Sequence, residues 1–122
     1  MKCLILAVAI VIAASGTTFA NWQVYREDKS IVASVDYLSR ASFRGKPSVW
    51  VRWHFKQPRK GIGGVKIQFT ADCARRNLYE IAYIPYDTKG NYLTPSENYD
   101  SPKQYTVTPH SLNEATYRLL CR

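Results

Sequence analysis

Apolar residues recur at every second position between Ser48 and Lys56, and this pattern constrains the fold more than any other feature of the sequence. The recurring apolar positions are Val49, Val51, Trp53 and Phe55, and the positions between them are Trp50, Arg52, His54 and Lys56. A period of two residues is typical of a β-strand that buries one face. The sequence therefore predicts a strand whose cations share the face that is not buried.

A second strand is predicted from Val65 to Ala71, where apolar residues again alternate with polar ones. Between the two strands, the segment Gln57–Gly64 is rich in residues that form turns. We therefore expect a β-hairpin over residues 48–72 with a long, flexible, basic tip. No helical pattern follows the three glycines of the tip, so they are expected to form the turn rather than a phosphate-binding loop.

Further strands are predicted on both sides of this hairpin. The segment Asn77–Tyr86 is apolar or aromatic at nearly every position, as expected for a central strand. Weaker candidates precede the hairpin at Gln23–Tyr25 and Ile31–Tyr37, and a short edge strand is predicted at Lys103–Val107. The segment Thr94–Pro102 contains two prolines and is predicted to be a surface loop.

The pattern changes to a helical period near the C-terminus. Ser111 and Glu114 match the capping-box motif, in which each side chain hydrogen-bonds to the backbone of the other. Apolar residues then recur at helical spacing, which predicts a helix from Leu112 to Cys121. Together these elements predict the α+β class, an antiparallel β-sheet with one helix laid across a face.

The first twenty residues match a secretory signal peptide. Lys2 gives a positive start, Leu4–Ala14 is an unbroken apolar run, and small residues precede an expected cleavage between Ala20 and Asn21. An N-terminal membrane anchor is the alternative, although eleven apolar residues fall short of the roughly 20 that a bilayer requires. We expect a signal peptide at 1–20 and a single domain at 21–122 that is periplasmic, at the cell surface or secreted. No further transmembrane segment is expected, and Asn21 stands where a lipid anchor would need a cysteine.

Three cysteines cannot all pair within one chain. Cys3 lies in the predicted signal peptide, which leaves Cys73 and Cys121 in a compartment that permits disulfides. We therefore expect these two to be bonded rather than free. Such a bridge would tie the predicted helix to the sheet.

The positive charge of the chain is concentrated in one stretch of sequence. The whole chain has 17 Lys and Arg against 9 Asp and Glu, and no acidic residue lies between Asp36 and Asp72. Such a surface suits sulfated glycans, acidic segments of matrix proteins, anionic lipid or nucleic acid, and the alternative is a solvated polar face without a partner. The predicted binding residues are Arg40, Arg44, Lys46, Trp50, Arg52, His54, Lys56, Arg59, Lys60 and Lys66.

Catalysis and metal binding have little support in the sequence. His54 and His110 are the only histidines, no motif of a hydrolase or metalloprotease occurs, and the remaining thiols are expected to be bonded. We therefore expect no catalytic residues, no metal site and no cofactor, with haem ligation by either histidine left open. Five tyrosines, interpreted as sheet-packing residues, occur around the 87–102 segment, at Tyr83, Tyr86, Tyr92, Tyr99 and Tyr105.

The order of several short motifs resembles the surface-adhesin protein E family of exported bacterial proteins. These motifs are Val49-Trp50, Asp72-Cys73 followed by Arg75-Arg76, the turn Tyr86-Asp87-Thr88-Lys89-Gly90, Pro109-His110-Ser111 and the closing Cys121. The resemblance covers about residues 30–122. It implies an antiparallel sheet with a disulfide-tethered C-terminal helix, and an adhesin-like role in binding host extracellular-matrix proteins.

These observations lead to two hypotheses of function. In the first, the chain is an exported, non-enzymatic binding protein that holds a host matrix protein or an acidic polysaccharide through its basic hairpin. In the second, it is a periplasmic protein of the same fold that binds or inhibits another envelope protein. We expect no nucleic acid as a partner in vivo.

Overall fold

The structure is a computed structural model that describes residues 21–94 and 97–122, with the backbone alone described at residues 97 and 98. The predicted signal peptide lies outside the described residues. The elements are β1 (Trp22–Glu27), β2 (Ile31–Phe43), β3 (Lys46–Arg59), β4 (Ile62–Asp72), β5 (Asn77–Asp87), β6 (Glu97–Tyr105) and α1 (Leu112–Leu120).

The six strands form one sheet in chain order, and each strand is antiparallel to the next. The helix follows the last strand and packs back onto the sheet. The expected α+β class is confirmed in this form, although strands make up most of the fold. No helix in the described part of the chain is long and apolar enough to cross a membrane.

The predicted long tip of the β3–β4 hairpin is wrong, because the two strands are joined by a tight turn of two residues. Both turn residues, Lys60 and Gly61, have positive φ, at 50° and 80°. Two such residues make a type I′ turn, whose twist matches that of the flanking strands. The residues before it belong to β3, where the pairing with β4 shifts between His54 and Arg59.

The predicted boundaries also change at the last strand. β6 begins at Glu97, so the expected loop is wrong from that residue onward, and the strand ends at Tyr105 rather than Val107. The pairing of β5 with β6 shifts between Glu80 and Ala82, which interrupts the regular ladder there. Pro102 is tolerated because β6 is the outer strand of the described sheet, where a missing N–H group breaks no ladder on the free side.

The core lies between α1 and one face of the sheet. Phe69 and Leu78 are fully buried there and meet Tyr117 and Leu120 of the helix. The expected disulfide is confirmed, with 5.5 Å between the Cα atoms of Cys73 and Cys121. It ties the C-terminal end of α1 to the β4–β5 connection.

A hydrogen-bonded relay joins the helix to the sheet within this core. The Trp53 indole N–H donates to the Tyr25 hydroxyl at 2.9 Å, and that hydroxyl lies 2.9 Å from the Thr116 hydroxyl. Burial raises the pKa of Tyr25 to about 12, so its hydroxyl keeps its proton at neutral pH. All three polar groups therefore have partners inside the protein.

The start of α1 is capped largely as predicted. The Ser111 hydroxyl accepts a hydrogen bond from the Glu114 N–H at 3.1 Å. The reciprocal bond differs from the expected one, because the Glu114 carboxylate accepts from the His110 N–H rather than from Ser111. The Ser111 N–H instead bonds the Thr108 carbonyl at 3.3 Å.

Replacing the cap residue should destabilise the fold measurably. In Ser111→Ala the Glu114 N–H loses its acceptor, so we expect the free energy of unfolding to fall by about 1 kcal/mol. Urea denaturation followed by circular dichroism measures this value. Ser111→Asp keeps an acceptor at the cap and should stay within about 0.5 kcal/mol of the wild type. Equal losses in both variants would contradict a capping role.

Candidate binding surface

The face of the sheet opposite α1 carries most of the candidate site, and we call it the open face. Strand alternation turns Val51 and Ile67 toward the helix, and therefore turns their neighbours away from it. The open face then presents aromatic and cationic side chains in its centre, namely Trp22, Trp50, Arg52, His54, Lys66 and Tyr86.

Two cations stand directly opposite each other at the centre of this face. Arg52 of β3 and Lys66 of β4 are register partners, and we call them the central cation pair. Like charges at opposed positions of two strands destabilise a sheet. Within the described residues no carboxylate forms an ion pair with either cation. In this part of the chain, the mutual repulsion of the two cations is therefore not offset by a carboxylate.

Aromatic rings, rather than carboxylates, hold the central cation pair. The Arg52 guanidinium carbon lies 4.7 Å from the centroid of the Trp22 ring. The Lys66 ammonium nitrogen lies 5.0 Å from the Trp50 ring and 5.8 Å from the rings of both Trp22 and Tyr92. These distances are typical of cation–π contacts, which attract a cation without using its N–H donors.

The loop after β5 lies along one side of the central cation pair. The Asp87 carboxylate accepts hydrogen bonds from the N–H groups of Lys89 and Asn91, each at 2.9 Å. The hydrogen bond from Asn91 is the main reason that the pKa of Asp87 lies below its usual range. The loop thereby brings Gly90 and Tyr92 to the rim of a small cavity of about 70 Å³, which is also lined by Trp22, Arg52, Lys66 and Tyr86.

A histidine–tyrosine contact borders this cavity. The Tyr86 hydroxyl lies 3.3 Å from Nδ1 of His54, and the two rings are stacked with centroids 6.2 Å apart. Burial raises the pKa of Tyr86, so the hydroxyl remains a hydrogen-bond donor at neutral pH. His54 thus has a tyrosine hydroxyl as its ring partner rather than a carboxylate.

Gly63 and Gly64 make room for the end of β5. Sequence analysis assigned them to the hairpin turn, but both lie in β4 and are buried. A Cβ atom at Gly63 would lie 2.6 Å from the Asp87 carbonyl oxygen, and one at Gly64 would lie 2.5 Å from the Trp53 carbonyl oxygen. A Cβ at Gly64 would also overlap the Tyr86 hydroxyl. These glycines therefore allow Tyr86 and the loop after it to approach β4.

The other predicted cations lie away from the central pair or are already neutralised. Arg40, Arg44 and Lys46 are near the β2–β3 turn, whereas Arg59 and Lys60 are at the opposite end of β3. A strand of 14 residues extends over roughly 45 Å.

Two of the cations form ion pairs. The Lys46 nitrogen lies 3.3 Å from the Asp72 carboxylate, and the Lys56 nitrogen lies 2.8 Å from the Glu27 carboxylate. The structure thus brings together four of the ten predicted binding residues, Trp50, Arg52, His54 and Lys66, and within the described residues none of them forms an ion pair with a carboxylate.

Three aromatic residues around the central cation pair were not predicted as binding residues from the sequence. They are Trp22, Tyr86 and Tyr92. Trp22 lies at the start of a weakly patterned strand, and nothing local indicated that it covers Arg52. The five tyrosines interpreted as packing residues divide between the two faces. Tyr86 and Tyr92 border the open face, whereas Tyr99 and Tyr105 donate hydrogen bonds to the buried Glu80 carboxylate on the helix side.

The histidines and acidic residues do not form a metal centre in the part of the chain that the structure describes. No group of three His, Cys, Asp or Glu side chains there could hold a metal ion. His110 has a positive φ of 62° and precedes α1, where its carbonyl accepts a hydrogen bond from Arg26 at 2.9 Å. The backbone of His110 thus helps to hold the segment that leads into α1.

Comparison with known proteins identifies no relative of this chain. No family model, no curated protein and no solved structure matches it. The likeness to the surface-adhesin protein E family therefore rests on the short motifs of the sequence, and the function has to be argued from the geometry of the open face.

Proposed function

We propose that this chain is an exported, non-enzymatic binding protein of the surface-adhesin protein E type whose open face binds an acidic polysaccharide. The central cation pair is the observation that carries the proposal. Arg52 and Lys66 oppose each other across two strands and form no ion pair within the described residues. An anionic ligand would relieve their repulsion and use their free donors.

The rings around the pair favour a polysaccharide over an acidic peptide. Trp22 and Trp50 combine large apolar surfaces with little loss of conformational entropy on binding. An acidic sugar offers both an anionic group for the cations and an apolar ring face for the indoles. An acidic peptide segment offers the charge without a sugar ring face that can stack on the indoles.

Export is supported by two independent features. The N-terminal pattern is that of a signal peptide, and the Cys73–Cys121 disulfide is of a kind that persists in oxidising compartments. Acidic polysaccharides are found outside cells, so the proposed ligand and the proposed compartment agree.

Heparin, as a model acidic polysaccharide, provides the test. We expect the double variant Arg52→Gln/Lys66→Gln to lose about a hundredfold or more in affinity, because each substitution removes a charge-assisted hydrogen bond of roughly 1.5–3 kcal/mol. The dependence of affinity on salt should also become flatter, since fewer counterions are displaced. Affinity measured by calorimetry at two salt concentrations gives both values.

The matched control is Arg44→Gln/Lys60→Gln, which removes the same charge at the two ends of β3. We expect a clearly smaller loss, because those residues lie in turns far from the rings. Equal losses in the two double variants would mean that binding follows net charge alone. Binding to a matrix protein that survives removal of its glycan chains, with no binding to heparin, would contradict the proposed ligand.

A further inference from the structure

We infer that the cavity between Arg52 and Lys66 is a discrete site for one oxyanion, a sulfate or carboxylate group of an acidic sugar, and that the loop after β5 is its wall. This inference rests on the proposed function and narrows it from a charged surface to one site. A discrete site would recognise one anionic group of the sugar. Binding along a continuous row of cations would not require such recognition.

In the middle of β3 and β4, the positive charge without an ion pair is confined to the central cation pair. On the open face, the cations on either side of Arg52 in β3 are compensated, Lys46 by Asp72 and Lys56 by Glu27. The ion pairs reduce the local field on both sides, so the charge left for a ligand is centred on Arg52 and Lys66.

The donors of the pair are both oriented and unused. Within the described residues, the side chains of Arg52 and Lys66 donate no hydrogen bond to a protein group, whereas the rings restrict where each cation can lie. A guanidinium carries five N–H donors and an ammonium three. Preorganised donors cost little conformational entropy when a ligand binds.

The size of the cavity fits a pendant group and excludes a sugar ring. Its volume of about 70 Å³ is the space of roughly two water molecules in the liquid. A sulfate or carboxylate could enter while the sugar that carries it remains outside, against the exposed parts of the indole rings. The Tyr86 side chain also lines the cavity.

The wall of the cavity is rigid because its loop is internally bonded. Besides the two bonds to the Asp87 carboxylate, the Asp87 N–H donates to the Asn91 carbonyl at 2.8 Å and the Gly90 N–H donates to the Asp87 carbonyl at 3.1 Å. Gly90 has a φ of 88°, which a residue with a side chain adopts at a cost. The Tyr86–Gly90 motif of the sequence spans the end of β5 and the start of this loop, and it thereby acquires a role in positioning Tyr92 beside Lys66.

Small anions test the site without any polymer. Sodium sulfate and sodium acetate are titrated separately into the full-length protein, each replacing chloride at constant ionic strength, and the indole N–H signals are followed by nuclear magnetic resonance. We expect saturable shifts at Trp22 and Trp50. Trp53 is an internal control, because its indole N–H is bonded to Tyr25 on the other face.

Variants then distinguish anion binding in the cavity from a general effect of net charge. Arg52→Gln should weaken anion binding by about tenfold or more, and Tyr92→Ala by about two- to fivefold through loss of one cation–π contact. Arg75→Gln, an exposed cation in the β4–β5 connection, should leave the titration unchanged. The anion whose titration gives saturable shifts, sulfate or acetate, identifies the group that the site prefers.

The outcomes distinguish this inference from the proposed function. If neither anion gives saturable shifts at Trp22 and Trp50, the site is wrong even when heparin binding depends on the cation pair. Shifts of equal size at Trp53, or in the Arg52→Gln variant, would overturn it too. If an anion binds the cavity but heparin does not bind the protein, the site stands and the proposed ligand fails.

Discussion

Removal of the Cys73–Cys121 disulfide is expected to lower the free energy of unfolding by about 4 kcal/mol. The bridge joins residues 48 positions apart, and the chain-entropy model assigns roughly this stabilisation to a loop of that length. Domains of this size have a total stability of about 5–15 kcal/mol, so the loss is a large fraction of the whole. It corresponds to a decrease in melting temperature on the order of 15–30 °C.

The measurement compares two ways of opening the bridge. The variant Cys73→Ala/Cys121→Ala and the wild type with a reducing agent should both show the loss in urea denaturation followed by circular dichroism. Adding the reducing agent to the double variant is the control and should change nothing. A loss below about 1 kcal/mol in both cases would mean that packing of α1 alone holds the helix on the sheet.

The elements that depend on local sequence could be predicted. The period of two residues in β3 and β4 placed Arg52 and Lys66 on one face, and their register confirmed it. The Ser111 cap and the helix that follows it were also predicted, because a capping box is encoded within four residues. The cysteine pair followed from the expected compartment and is confirmed.

Features that depend on pairing between distant segments could not be predicted in the same way. Lys46 meets Asp72, and Lys56 meets Glu27, only because the register of three strands brings them together. Eight cations in sequence therefore suggested one surface, whereas the ion pairs leave its centre free. Trp22 covers Arg52 for the same reason, since β1 lies beyond β2 in the sheet and far from Arg52 in sequence.

Both tight turns of the sheet have a local basis in the sequence. Arg44-Gly45 and Lys60-Gly61 each place a glycine second in a two-residue turn, and both residues of each pair have positive φ. Glycine at this position is typical of a type I′ hairpin, although Arg44 and Lys60 occupy the first position, where asparagine or aspartate is usual. The glycines near Ile62 do not form one flexible tip. Gly61 belongs to the turn, whereas Gly63 and Gly64 allow close packing in β4.

The substitution Gly64→Ala should damage both the fold and the binding surface. A Cβ atom there would lie 2.5 Å from the Trp53 carbonyl oxygen, which is backbone of the neighbouring strand and cannot move aside cheaply. Overpacking of this kind typically costs about 1–3 kcal/mol. The same Cβ would displace the Tyr86 hydroxyl from His54 and disturb the wall of the cavity.

Two measurements on this variant separate the effects. Urea denaturation gives the loss of stability, and heparin binding at a temperature where the variant is still folded gives the effect on the surface. The matched control is Gly45→Asn, where no atom lies within 4 Å of an added Cβ and asparagine tolerates the positive φ of 80°. The positive φ still strains a residue with a side chain, so this variant should cost about 1 kcal/mol without any clash and leave heparin affinity unchanged. If Gly64→Ala keeps full heparin affinity while losing stability, the position of Tyr86 is irrelevant to binding, and the ligand contacts only the two cations and the indoles.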